Sequence, residues 1–268
     1  MMPSAIATVL ATGSGGIVGL VLGLVGGGGS ILAVPLLVYV VGMPSAHVAI
    51  GTSAVAVSAS ALVNLLPHWR SGNVKWRCAF VFTTAGVLGA FVGAAVAKAL
   101  DGQKLLTLFG LIMIVVGAVM LRRRSSAGNP DVRLSRETAR ELMPLLLGIG
   151  FLVGLFSGFF GIGGGFLIVP GLILATGMPM TAAIGTSLVA ITAFGAATAS
   201  SYAASGLVDW TVAGLFVMGG LAGGIAGVRL GKVLADKKHA LNVVFAVLVI
   251  MVGVYIVVQG LLTLATGT

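Results

Sequence analysis

The chain has 268 residues, 58% of them hydrophobic and 8% charged, with a mean hydropathy of +1.17. No water-soluble core needs that much apolar surface, so composition excludes an ordinary soluble domain and makes a bilayer the solvent. A net charge of +9 would suit nucleic acid, but the lysines and arginines fall in short segments between apolar runs, where topology signals collect, and no nucleic-acid partner is expected.

The first apolar run, 5–41, has no basic residue ahead of it; it lacks the charged n-region of a secretory signal peptide and reads as retained. Inside it stands GGGGSILAVP, Gly26–Pro35, four glycines and a proline in a segment greasy enough to span. Apolar spans follow at 46–66, 78–98 and 103–121, then a polar linker, 122–142, rich in arginine. A second long run, 143–176, carries GIGGGFLIVP, Gly161–Pro170, and precedes spans at 181–203, 211–232 and 240–262. The single cysteine, Cys78, excludes an internal disulfide and metal sites built from several thiolates.

This order is an internal repeat. GMPSAHVAIGTS, Gly42–Ser53, returns as GMPMTAAIGTS, Gly177–Ser187, and SGNVKW, Ser71–Trp76, returns as SGLVDW, Ser205–Trp210. Ala85, Gly89, Gly93 and Ala97 fall on Gly219, Gly223, Gly227 and Gly231, a small-xxx-small stripe that lets membrane helices approach closely. The organisation is a membrane repeat over 5–121, the linker 122–142 and a second membrane repeat over 143–265.

Four crossings per repeat would place nine cations on one side and six on the other, a poor bias. If each glycine-broken run instead enters and returns, the count is odd and the second copy is inverted. All but two of the 15 lysines and arginines, Lys98 and Lys104, then share one side. The positive-inside rule selects that arrangement, with the linker cytoplasmic and both termini outside. The fold class expected is an all-α polytopic integral membrane protein. It has two inverted-topology repeats, each a glycine-broken helical element, hairpin or discontinuous, plus three transmembrane helices.

Interrupted helices free backbone N–H groups, which in hydrocarbon must find a partner. Helices restarting near Ser30 and near Phe166 would aim N–H groups and the positive ends of their dipoles at one cavity, a site suited to an anion. Pro35 and Pro170 lie several residues into these half-helices and are expected to kink or shorten them. Gly51-Thr52-Ser53 and Gly185-Thr186-Ser187 add hydroxyls able to donate to oxyanion oxygens; bonding to their own backbone or a neighbouring helix is an equal alternative. His47, His68 and Arg70 lie nearest the ends of the second span and are candidates for attracting or gating an anion, with headgroup anchoring the stronger alternative for Arg70. Asn64 matches Thr198, a polar pair for which helix packing is the alternative.

All six acidic residues, Asp101, Asp131, Glu137, Glu141, Asp209 and Asp236, map to loops or the linker, so the spans hold no carboxylate for a metal cation or a proton relay. Neither glycine run has the lysine of a P-loop or the βαβ setting of a dinucleotide site. No cofactor, metal or catalytic residue is expected, and the chain does not read as an enzyme.

The doubled Gly-Gly-Gly-x-x-x-x-Pro element, each copy followed by GMP…GTS and then SGxVxW, resembles the TauE/SafE family of sulfite exporters over roughly 12–260. The resemblance implies a multi-pass transporter of the bacterial-type inner membrane for sulfite, organosulfonates or other small anions. It implies Gly28, Gly29, Ser30, Thr52, Ser53, Gly163, Gly164, Gly165, Thr186 and Ser187 as cavity residues, with Ser30 standing where the second copy has Gly165. The partners expected are a small anionic substrate and the lipid bilayer, and a homo-oligomer is compatible with the sequence. The competing reading is a membrane scaffold or assembly protein that transports nothing, which would not require matched glycine breaks.

Overall fold

The computed structural model describes residues 5–25, 27–122, 138–161, 165–233 and 238–266. Among them there are helices and no strands. Eight helices are long and apolar enough to cross a membrane: α1 (Ala5–Val25), α3 (Ala46–Arg70), α4 (Trp76–Lys98), α5 (Gly102–Arg122), α6 (Ala139–Phe160), α8 (Met180–Ala203), α9 (Trp210–Val233) and α10 (Lys238–Thr266). Two short apolar helices, α2 (Gly28–Val40) and α7 (Gly165–Thr176), follow the glycine runs. The second arm of the linker is shorter than its polarity suggests, because α6 starts at Ala139 and takes Arg140 and Glu141 into its first turn.

The two long apolar runs each break into a full helix and a short one. At the second break Gly161 ends α6 at φ +67°, a left-handed value that residues with a Cβ rarely adopt, and its N–H closes on Ser157 O at 2.9 Å. α7 then folds back along α6, so that Gly171 lies against Ile149 and Val153. The first break differs from the restart expected near Ser30. Helical structure resumes at Gly27 as a tight 3-10 turn through Leu32, makes one α turn over Ala33–Pro35 and widens to π turns over Leu36–Val40. Pro35 explains the change of pitch: it has no N–H to bond backwards, and the ladder beyond it shifts to Val41 N–H on Leu36 O at 2.9 Å and Met43 N–H on Leu37 O at 3.0 Å. Pro170, the sixth of the 12 residues of α7, lacks an interior bond to Phe166 O, yet α7 continues through it to Thr176 and is not broken there.

Packing is set by glycine. A Cβ on Gly15, Gly19 or Gly23 of α1 would strike the backbone of Phe216, Gly220 and Gly224 in α9, and one on Gly219, Gly223 or Gly227 would strike Thr12, Gly16 and Leu20 in return. The second copy repeats this between α6 and α4, with Gly150, Gly154 and Gly158 against Phe82, Gly86 and Ala90. Lipid offers no hydrophobic drive for helix association, so this backbone-to-backbone contact is what holds the pairs.

The same contacts give the helix directions. They advance together along α1 and α9, along α4 and α6, and along α3 and α9, where Ser60 meets Gly220 and Asn64 meets Gly224. They run oppositely along α3 and α8, where Gly51 meets Tyr202 and Ser58 meets Thr192, and along α5 and α10, where Thr107 meets Gly260 and Gly117 meets Ala246. Thus α1, α3 and α9 point one way, and α4, α6 and α8 point the other. The antiparallel α3–α8 pair is the most enclosed of the spans and forms the centre.

Candidate functional site

Glycine is required at each GTS motif because the SGxVxW turn of the other copy lies on it. A Cβ on Gly51 would strike Leu207 O, and one on Gly185 would meet Asn73 O. That approach brings each turn onto the next residue of the motif. Thr52 Oγ1 accepts from Asp209 N–H at 3.0 Å, and Thr186 Oγ1 accepts from Lys75 N–H at 3.0 Å. Asp209 and Lys75 stand just before α9 and α4, so the threonine of one copy takes up a backbone donor at the helix start of the other. Both threonines are fully buried, and accepting leaves each its own O–H to donate.

The serines behave differently. Ser53 Oγ lies 2.9 Å from Ile50 O and 3.0 Å from Gly161 O, so its one proton is shared between its own helix and the glycine break of the other copy. Ser187 Oγ donates to Ile184 O at 2.8 Å. The first glycine stretch, Gly27–Leu32, packs on α7 and α8 of the second copy, which brings the two glycine-broken elements into contact. Gly28, Gly29, Ser30 and Gly165 are buried there, and Gly29 is pressed against the backbone of Val18 and Leu22. Gly163 and Gly164 lie outside the described residues.

The two GTS motifs do not converge on one spot. Ser58 donates to Thr192 O at 2.7 Å at the crossing of α3 and α8, and these residues occupy matching positions in the two copies. Thr52 and Thr186 each precede that crossing by six residues on antiparallel helices. At 1.5 Å per residue they sit about 18 Å apart along the bundle. The single cavity expected from sequence is therefore replaced by two related junctions, one toward each end of the α3–α8 pair.

Of the remaining candidates, His47 Nε2 lies 3.1 Å from Leu100 O; a carbonyl only accepts, so Nε2 carries the proton and ties the α4–α5 turn to the start of α3. Its Nδ1 is buried without a partner. Asn64 Nδ2 donates to Ser60 O at 3.0 Å while its amide fills the space over Gly224, which is a packing role. His68 sits near the end of α3 with Nδ1 buried and unpartnered, and Arg70 is exposed at that helix end.

Two residues that sequence reasoning passed over belong to this description. Tyr202, the counterpart of His68, is fully buried with an unpartnered hydroxyl. Lys98 Nζ donates to Ser201 O at 3.0 Å, Ser201 Oγ at 3.1 Å and Ser205 Oγ at 3.0 Å, and lies 5.7 Å from the centre of the Tyr202 ring. A cation on the last turn of α8 suits the negative end of that helix. The signal for Tyr202 was its register with His68; nothing in the sequence showed what Lys98 touches.

Among the described residues, the buried polar side chains other than Tyr202 are serine or threonine and no cluster of three metal-ligand residues occurs. A groove of about 500 Å³ on the α1–α9 seam, lined by Thr8, Thr12, Gly16, Gly219 and Gly223 among others, contains none of the candidate residues.

Eight apolar spans and two glycine-broken elements that meet across a repeat define a multi-pass membrane protein, and its family is one of transporters. Residues 11–256 match the family model described as Sulfite exporter TauE/SafE, and the chain belongs to that family. It is 51% identical over 249 residues, 93% of this chain and 94% of the relative, to a "Probable membrane transporter protein" of Xylella fastidiosa (strain 9a5c). It is 27% identical over 262 residues, 91% and 95% of the two chains, to "Probable membrane transporter protein YunE" of Bacillus subtilis (strain 168). It is 31% identical over 179 residues, 65% and 64%, to "Probable membrane transporter protein MJ0441" of Methanocaldococcus jannaschii. No solved structure matches.

Proposed function

We propose that the chain carries a small anion, a sulfur oxyanion or an organosulfonate, between its two glycine-broken elements by alternating access. The family description, which names sulfite exporters, favours the substrate class. The observation that carries the reading is the crosswise junction, where Ser53 reaches the Gly161 carbonyl and Thr52 takes the Asp209 N–H. Each junction combines the hydroxyl motif of one copy with the SGxVxW turn of the other, and at Ser53 with the other copy's glycine break as well, so moving one copy against the other opens one junction and closes its mate. The hydroxyls of Thr52 and Thr186 are the donors for the anion, and the serine protons join them when a junction opens.

Charge supports the same class. Among the described residues Asp101 and Asp209 lie at turns and Glu141 in the first turn of α6, so no carboxylate stands in the interior of a span to repel an anion or bind a metal cation. With a negative interior, each negative charge leaving gains about 2.3 kcal/mol per 100 mV, which suffices for export as uniport.

The opposed directions of matching helices support two inverted repeats. With the linker cytoplasmic and both termini outside, the cations then lie where the positive-inside rule puts them, in a bacterial-type inner membrane.

The test is a panel of sulfite, sulfate, thiosulfate, taurine, sulfoacetate and short carboxylates, read by thermal shift and by flux into proteoliposomes. At least one sulfur anion is expected to stabilise the protein and to be carried. Stabilisation by none of them would sink the reading and favour a membrane scaffold.

A further inference from the structure

Five buried side-chain atoms among the described residues have no hydrogen-bond partner, and two of them, His68 Nδ1 and Tyr202 Oη, fall at one repeat position. Accidents of packing have no reason to fall in register across a repeat, whereas the parts of a duplicated site do. The backbone treats the two residues alike: His68 O accepts from Asn73 N–H at 3.1 Å and Tyr202 O from Leu207 N–H at 2.9 Å. Asn73 O and Leu207 O are in turn what a Cβ on Gly185 or on Gly51 would meet. Each orphan therefore stands next to the Gly-Thr-Ser motif of the opposite copy, His68 at the Thr186 end of the α3–α8 pair and Tyr202 at the Thr52 end.

Tyr202 is accounted for as far as its ring and no further. It is fully buried, its Cβ occupies the space over Gly51, and Lys98 Nζ stands 5.7 Å from its ring centre. Phenylalanine would fill that volume and face that cation equally well. A buried hydroxyl without a partner is a net cost to folding, so what explains it is something it binds.

The neighbours of Tyr202 make that something an anion. Thr52 Oγ1 accepts from Asp209 N–H and gives its own proton to no described residue. Ser201 Oγ accepts from Lys98 Nζ at 3.1 Å and likewise keeps its proton. Lys98, half-buried at the end of α4, bonds only the neutral oxygens of Ser201 and Ser205, and among the described residues no carboxylate lies within 4 Å of its Nζ. The carboxylate of this junction, Asp209, is turned to the start of α9, where Oδ1 accepts from Val212 N–H at 3.0 Å. We propose that the Tyr202 hydroxyl binds the carried anion at the Thr52 junction, as a donor beside Thr52, with Lys98 setting the preference for negative charge. His68 Nδ1 is the matching contact at the Thr186 junction. This rests on the chain carrying an anion at all, and adds which atoms meet it.

The test compares the full-length wild type with Y202F, which removes one oxygen and almost no volume. Flux of sulfite, thiosulfate and sulfoacetate into proteoliposomes is measured against concentration, beside melting in the absence of all three. Y202F is expected to melt no lower than wild type, because the hydroxyl it loses was unpaired, and to raise the half-saturating concentration of each anion the wild type carries about tenfold. K98M is expected to raise it as well, K98R to restore most of it, and Y255F to behave like wild type. A second readout does not depend on turnover: with 3-fluorotyrosine at the three tyrosines, the fluorine resonance missing from Y202F is expected to shift when a carried anion is added, while those of Tyr39 and Tyr255 stay in place. An unchanged half-saturating concentration in Y202F, or a Tyr202 resonance indifferent to the anion, overturns the assignment and leaves anion carriage standing. A Y202F protein that melts well below wild type overturns it too, by showing that the hydroxyl has a structural partner. A wild type that carries none of the three anions removes the carrier reading itself, and this assignment with it.

Discussion

Replacing Thr52 by valine tests the crosswise junction directly. The change is nearly isosteric at a position with 0% exposure, so it removes a hydroxyl without leaving a cavity. The lost partner is Asp209 N–H, 3.0 Å away at the start of α9. Leaving a buried donor unsatisfied costs about 1–3 kcal/mol, and Asp209 is only half-buried, so water limits the loss to about 1–2 kcal/mol. T186V acts on the matching bond to Lys75. The two positions lie about 18 Å apart, so their effects should add, to about 2–4 kcal/mol in T52V/T186V. Reversible unfolding in mixed micelles measures this, and faster exchange of the Asp209 amide gives a local readout. T52S retains the acceptor and should restore most of the stability. A T52V protein within about 0.3 kcal/mol of wild type, or a T52S protein as weak as T52V, would refute the assignment of the hydroxyl as acceptor.

Three further expectations follow from the same contacts. Gly154→Val drives a branched side chain into the Gly86 backbone, and should cost about 3 kcal/mol or prevent assembly, whereas Gly13→Val, where nothing lies near, should cost under about 1 kcal/mol; membrane yield and melting temperature compare them. Lys98→Met removes two hydrogen bonds to Ser201 in the last turn of α8 and one to Ser205 just beyond it, and should lower stability by about 1–2 kcal/mol, with Lys98→Arg recovering part of it in the same unfolding assay. Reporter fusions at the C-terminus and within the linker should report opposite compartments, the linker inside; a shared compartment would exclude the inverted arrangement.

The sequence alone determined a good deal about this protein. Hydropathy located six of the eight spans, because an apolar run long enough to cross a bilayer has no other solvent, and the observed helices extend those six runs by only a few residues at each end; the two long runs each resolved into a full span and a short helix. Self-comparison found the repeat, since a duplicated fold leaves its glycines in register. The Gly89–Gly93 and Gly223–Gly227 stripes read as packing faces, and the structure places backbone of α6 and α1 against them. The two glycine-broken elements were also legible, because glycine and proline act on the local backbone and need no neighbour to do so.

Only the tertiary structure decided what the polar residues touch. Thr52 meeting Asp209 spans 157 positions and Ser53 meeting Gly161 spans 108, and no periodicity within one copy contains such a pairing. The crossing of α3 and α8 at Ser58 and Thr192 separated two motifs that looked, in sequence, as though they shared one cavity. Likewise Pro35 and Pro170, identical in alignment, gave a shifted helix in one copy and an unbroken one in the other. The physical reason is the same in each case: solvent preference and backbone freedom belong to a residue and its near neighbours, whereas a hydrogen-bond partner belongs to whichever backbone the fold brings within 3 Å.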